Sequence, residues 1–286
     1  METVVLDASF KIGKEVEILI NQCYTCTEKG KYHQENQDTM LCMSVSVMND
    51  VATDIFLVAD GMSNTENGNA GKIAKLCKEK FMGSFFENII GNYDVSDKDF
   101  SIINYRDRLQ QTLMQSLFQS NMAVSTSELI EVNGGTTLSV LLIVKDFAVG
   151  VNVGDSPIYY YNSKDEEFTV LSDVQNLGEQ NYQRGVYLRC SEQYRKDRNY
   201  LTNYIGKYEN LEEEEVGLFS VEKMHEGDMF LICTDGVIDY DNKAEILEIL
   251  LNEVLSSEEK IKILIEKSRR KNNDDKTAIL ICCGEM

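Results

Sequence analysis

The sequence predicts an α+β fold, a four-layer α-β-β-α sandwich in which two antiparallel β-sheets are flanked by helix pairs. Three observations lead there. Strand-like and helix-like segments come in runs rather than in strict alternation, which disfavours a β-α-β winding. Each of two groups of apolar, β-branched stretches is followed by a pair of helical patterns. The stretch "LSVLLIV" (138–144) is apolar on both faces, as a strand covered on both sides must be.

The elements follow in order. "EVEILINQCYT" (15–25), "TMLCMSVSVM" (39–48) and "DIFLVAD" (54–60) read as strands. Two helical segments come next. In the second, Ile102, Tyr105, Leu109, Leu113 and Leu117 recur at spacings of three and four, on one helix face. "GGTTLSVLLIVKDFAVGVNVGDSPIYYYN" (134–162) is broken at "KD" and "GD" and reads as two or three strands with tight connections. Residues 173–215 are polar and weakly periodic, and hold Arg184, Arg189, Arg195 and Arg198. "DMFLICTD" (228–235) is a further strand. Ile246, Ile249, Leu250 and Val254 mark one helix, and Ile261, Leu264 and Ile265 a second. "KTAILICC" (276–283) closes the series as a last apolar strand. There is no internal repeat, and Pro157 is the only proline, so residues 1–286 read as a single domain.

Charge narrows the function. The 28 Lys and Arg against 48 Asp and Glu give a net charge of −20. Such a surface repels phosphate backbones and anionic lipid, so neither nucleic acid nor membrane is an expected partner. No apolar run approaches the ~20 residues of a membrane span, and the first residues carry charges where a signal peptide is apolar. The expectation is a soluble, cytoplasmic monomer. Most of the eight cysteines lie inside apolar runs and read as reduced, buried thiols. Cys23 and Cys26 form a lone C-x-x-C with no histidine pair at zinc spacing, which argues against structural zinc.

Acids mark the strand ends. Asp60 and Asp235 each close an apolar run and precede a glycine. Taken singly, Asp-Gly is a common turn. The set is harder to dismiss: Asp38, Asp155 and Asp274 also flank strands, and Asp239 lies four residues past Asp235. Converging carboxylates repel one another and stay ionised only if cations hold them. Hard cations such as Mg²⁺ and Mn²⁺ take oxygen ligands, and a glycine lets its carbonyl approach an ion closely. The acids therefore point to a site for two or more divalent metals, with no His or Cys ligand needed. A helical calcium hand at "DGVIDYDNKAEILEIL" is disfavoured, because Ala244 and Leu250 stand where that loop needs glycine and glutamate.

At this point the residues resemble the metal-dependent protein phosphatases of type 2C, the PPM family, in their bacterial form. The likeness is carried in order by "HQENQD" (33–38), "VADGM" (58–62) with "NAGKIA" (69–74), "GGTTL" (134–138), "NVGDS" (152–156), "NYLTNYIG" (199–206), and "LICTDGVID" (231–239) with "DDKTA" (274–278). It implies the same sandwich and the hydrolysis of phosphoserine and phosphothreonine in proteins, including those of a Ser/Thr kinase, by a water bridging two Mn²⁺ or Mg²⁺ ions. By position, Asp60 would bridge the metals, the Gly61 carbonyl would bind one, Asp235 and Asp274 would hold the other, and Asp38 would position metal-bound water. Asp155 and Asp239 match a weaker third-metal site. Residues 173–215 fall where the family carries a mobile flap; their arginines either dock phosphoproteins or balance an acidic shell.

The departures from the family pattern fall on positions that face substrate. His33 stands where many members have a phosphate-gripping arginine; either phosphate binding is weaker or has moved elsewhere, or His33, shorter and cationic only when protonated, still contacts phosphate. Met62 occupies a place where eukaryotic members often have histidine, so water on the metals would protonate the leaving group. Gln37 replaces an acid, Pro157 an arginine, and "SNTEN" (63–67) a glycine-histidine turn. A second class of function fits these departures, a non-catalytic phosphatase-like module that binds phosphoproteins. The complete set of acids argues against it.

Overall fold

In the computed structural model, the described residues are 20–48, 51–63, 68–91, 102–130, 134–189, 191–237, 243–269 and 272–284. Three strands, β1 (Ile20–Glu28), β2 (Asp38–Met48) and β3 (Val51–Met62), precede a helix pair, α1 (Ala70–Gly91) and α2 (Ile102–Ser125). There follow β4 (Gly135–Thr136), β5 (Leu138–Val144), β6 (Phe147–Val153), β7 (Ile158–Asn162) and β8 (Glu167–Val170). Two short helices, α3 (Leu177–Gln183) and α4 (Glu192–Asp197), lead to β9 (Gly217–Val221) and β10 (Met229–Cys233). A second long pair, α5 (Lys243–Leu250) and α6 (Ser257–Arg269), precedes β11 (Lys276–Gly284).

The strands form two sheets. One runs β1-β11-β10-β7-β8; the other runs β2-β3-β5-β6-β9, with β4 beside β3. Neighbours pair antiparallel throughout. The predicted α+β class is therefore the observed one.

Alternation along the strands builds three apolar layers. On β3, Ile55, Leu57 and Ala59 pack against Phe81 and Phe85 of α1 and Leu109, Leu113 and Leu117 of α2. The intervening Phe56 and Val58 face the other sheet, where they share a core with Phe230, Ile232, Ile279 and Ile281. On β10, Leu231 and Cys233 turn outward to Ile246, Ile249, Ile261 and Ile265 of α5 and α6. Each central strand is thus apolar on both faces, which is why its sequence reads as an unbroken run. Every residue of β5 is buried, as its sequence requires.

Some elements differ from the sequence reading. β8 and β9 were not foreseen. Each lies at one edge of its sheet, and β9 alternates partly buried and exposed residues, so its apolar content is low. Val254 is not on a helix: α5 ends at Leu250 and Val254 is 91% exposed. The first strand is described from Ile20 onward, and residues 15–19 of the predicted stretch lie outside the described residues. No helix among the described residues is long and apolar enough to cross a membrane.

Candidate functional site

Both sheets deliver acids to one end of the sandwich. β2 begins on Asp38, whose register partner across the hairpin is Asp60 on β3. On the other sheet, β10 stops at Cys233 and the chain tightens into a single 3-10 turn over Asp235–Val237. Asp274 stands just before β11, which pairs with β10 through Cys233 and Ala278. The two sheets meet where Thr234 Oγ1 donates to Asp38 Oδ2 at 2.9 Å. Asp38 and Asp155 are buried, Asp60 and Asp235 half-buried, and Asp274 exposed.

The electrostatics reflect this convergence. Removal from water, then the nearby carboxylates of Asp38, Asp235, Asp274 and Asp155, pushes Asp60 well above the usual carboxylate range. Asp155 rises for the same first reason, with Asp235 next. Burial pushes Asp38 up to about 8, with Asp275 and Asp274 adding to the rise and bonds from Thr277 and Thr234 opposing it. Asp235 is pushed up to about 6 by burial and then by Asp274, against the opposing charge of Arg198 and a bond to Asp60. One oxygen, Asp38 Oδ1, is buried without a hydrogen-bond partner. An unpaired buried carboxylate oxygen among like charges is costly unless a cation meets it. This all-oxygen donor set fits hard divalent cations.

Threonines hold the acids in place. The Asp60 amide donates to Thr137 Oγ1 at 3.0 Å, and the Asp60 carbonyl accepts from the Thr137 amide and from Thr136 Oγ1. Thr234 Oγ1 also accepts from the Thr277 amide at 3.0 Å, tying the two acid-bearing ends of β10 and β11. Two glycines leave space that no side chain could share. A Cβ on Gly61 would lie 2.3 Å from the Ala70 carbonyl oxygen at the start of α1, and one on Gly236 would lie 1.9 Å from that of Asp275. Gly236→Ala must therefore push the Asp235 turn away from the Asp274–Asp275 segment. It is expected to lower stability by about 1–3 kcal/mol, read as an earlier thermal melt.

His33 has a partner that the sequence did not announce. Its Nδ1 lies 2.8 Å from Asp275 Oδ2. The same oxygen accepts from the Gln37 amide at 2.8 Å, and Asp275 Oδ1 accepts from the Gly30 amide at 2.5 Å. Asp275 is only 2% exposed and pins the 29–37 connection to the start of β11. His33, Asp274 and Asp275 each place one ligand-type atom within 4.8 Å of the others. The sequence reading kept histidine out of the metal set, and the oxygens of Asp275 are already taken by N–H donors. Beside them, the buried Lys276 donates to the Asp274 carbonyl at 2.6 Å.

Asp155 sits in the turn after β6 and accepts from Asn176 Nδ2 at 3.1 Å. Asn176 is fully buried and also N-caps α3, its Oδ1 accepting from the Glu179 amide at 2.9 Å. Residues 173–215 are thereby tied to the acids. Of their arginines, Arg189 is occupied internally, at 2.5 Å from the buried Glu179, whereas Arg184 and Arg195 are exposed. Asp239 lies outside the described residues.

Sequence reasoning named Asp38, Asp60, Asp155, Asp235 and Asp274, and the structure brings all five together. It missed Thr137, Thr234, Asn176 and Asp275. Thr234 and Asp275 each adjoin a named acid in sequence, which is the one signal that pointed to them.

Comparison with known proteins places the family and the fold. The family described as "Protein phosphatase 2C" matches residues 29–268. The fold is similar to that of the serine/threonine phosphatase Stp1 from Staphylococcus aureus, at a TM-score of 0.71 and 18% identity, covering 95% of this chain and 99% of that one. It is similar to the serine/threonine phosphatase of S. agalactiae, at a TM-score of 0.68 and 19% identity, covering 92% and 99%. It is also similar to the catalytic domain of the serine/threonine phosphatase PstP in complex with two manganese ions, at a TM-score of 0.65 and 18% identity, covering 93% and 99%. No curated protein matches the sequence.

Proposed function

Because this chain belongs to the protein phosphatase 2C family, we propose that it is a metal-dependent protein serine/threonine phosphatase acting on phosphoserine and phosphothreonine. The single observation that carries the reading is the convergence of Asp38, Asp60, Asp235 and Asp274 from two different sheets. Burial and then neighbouring carboxylates raise the proton affinity of Asp38, Asp60 and Asp235, and the all-oxygen donor set suits Mn²⁺ or Mg²⁺.

In this reading Asp60, the Gly61 carbonyl, Asp235 and Asp274 would hold two cations, and Asp155 with Asp239 a third. Two divalent cations in such a site supply the charge that activates water at neutral pH and steadies the phosphoryl oxygens in in-line attack. The chain's own residues do the rest. Thr234 fixes Asp38 by one carboxylate oxygen, which leaves Oδ1 free to orient a water. Threonine hydroxyls and the close-packed Gly61 fix the Asp60 backbone, so that its carboxylate stays in one place. His33 contacts the phosphoryl group in place of a longer arginine. No side-chain nucleophile is required. The substrates are phosphorylated proteins, in keeping with a surface whose charge disfavours nucleic acid.

The test is turnover of an aryl phosphate and of a phosphothreonine peptide with Mn²⁺, with chelator as control. Chelator-sensitive release of phosphate is expected. No turnover with any divalent cation would leave a phosphoprotein-binding module as the better reading.

A further inference from the structure

We propose that Asp275 is a positioning residue that sets the ring of His33 for the substrate phosphate. The proposal rests on the phosphatase reading above and assigns the phosphate contact to a pair rather than to one side chain.

Geometry carries it. Asp275 is a buried carboxylate whose two oxygens accept three N–H groups, from Gly30, Gln37 and His33. Two of these are backbone amides, so the carboxylate has an acceptor's role, and His33 Nδ1 is the donor that completes it. That bond fixes both the tautomer and the plane of the imidazole, as a carboxylate does for a working histidine elsewhere. Nε2 is the ring nitrogen that remains. The ring lies next to Asp274, its ligand-type atom within 4.8 Å of an oxygen of that carboxylate, so it borders the acid site. The backbone of the loop is held as firmly: Lys29 Nζ donates to the His33 carbonyl at 2.5 Å, and the Lys31 amide to the Asn273 carbonyl at 2.9 Å. Placed between the Asp275 carboxylate and a phosphoryl oxygen, the ring carrying both protons donates from Nδ1 to the first and from Nε2 to the second. A short side chain held at a set angle thus does the work of a longer, self-orienting guanidinium.

A purely structural Asp275 would act through the loop and not through the ring. The test separates these. KM for a phosphothreonine peptide and the inhibition constant of inorganic phosphate are measured for wild type, Asp275→Asn, His33→Ala and the double variant. Both constants are expected to rise about tenfold in Asp275→Asn, as for loss of an outer partner that orients a binding side chain. In the His33→Ala background the second substitution is expected to add nothing. An equal rise in that background overturns the proposal. A second measurement needs no turnover. The chain has two histidines, so His225→Gln leaves His33 as the only imidazole in a nitrogen-detected spectrum. The Nδ1–H form is expected in the free protein, with phosphate bringing a second proton onto Nε2. A ring protonated on Nε2 alone, or one that Asp275→Asn leaves unchanged, overturns the proposal. A lack of turnover in wild type with the expected spectrum would instead count against the phosphatase reading.

Discussion

Asp60→Asn is expected to remove metal-dependent turnover while raising the thermal stability of the metal-free protein. Asp60 feels four other carboxylates, and burial makes their repulsion expensive. An amide of the same shape removes one charge and keeps a group able to bond Asp235, so the cation-free fold relaxes. The same change removes the acid that the functional reading places at the centre of the site. Turnover should fall by more than ~100-fold, beyond what loss of an outer-sphere partner costs a metal site. A residue that serves the fold would show the opposite sign in the melt. Phosphate release with Mn²⁺ and a melting curve in chelator check both halves, and a variant that melts earlier than wild type in chelator would contradict the account.

Metal-free protein should lose stability as pH rises, and divalent cations should cancel that loss. Asp38 and Asp235 are pushed up to about 8 and about 6 in the fold, against about 3.9 for an unfolded aspartate. Their folded-state proton affinities are raised, so the folded chain retains protons that the unfolded chain has released. The associated stability is complete below about pH 4 and is lost as pH climbs toward about 8. Asp60 and Asp155 shift in the same direction and add to the slope. A cation at about 100 times its dissociation constant contributes about 2.7 kcal/mol, or roughly 4–5 °C in a chain of this size. Melting curves across that pH range, with chelator and with Mn²⁺, read the effect. A flat metal-free profile would show that the acids are not held together as described.

Much of this was legible in the sequence because the central strands must be apolar on both faces. Val58 and Leu57, or Ile232 and Leu231, face different cores yet look alike in sequence, and an abrupt acid at the end of such a run stands out. The edge strands β8 and β9 were not legible, because short, partly exposed strands carry little apolar signal. Leu218 is 48% exposed on β9, so little apolar signal is left to read there. Asp60 and Asp235 could be found because Asp-Gly punctuates a run. Asp275 and Asn176 could not, because what distinguishes them is a set of partners up to 245 residues away in the chain. His33 was noticed only as a departure from a pattern, and its meaning changed once its neighbour was known.

The contact between Thr234 and Asp38 joins groups 196 residues apart in sequence, whereas Asp38 and Asp60 meet within one hairpin. Half of the acid site therefore forms locally, and the whole of it exists only after the two sheets have docked. Cations captured there, as proposed, would stabilise the final state and not the climb toward it. Their binding energy should then act on the rate at which the chain comes apart, and leave the rate at which it assembles nearly as it was. On the proposed reading, cations would be held only once both sheets are in place.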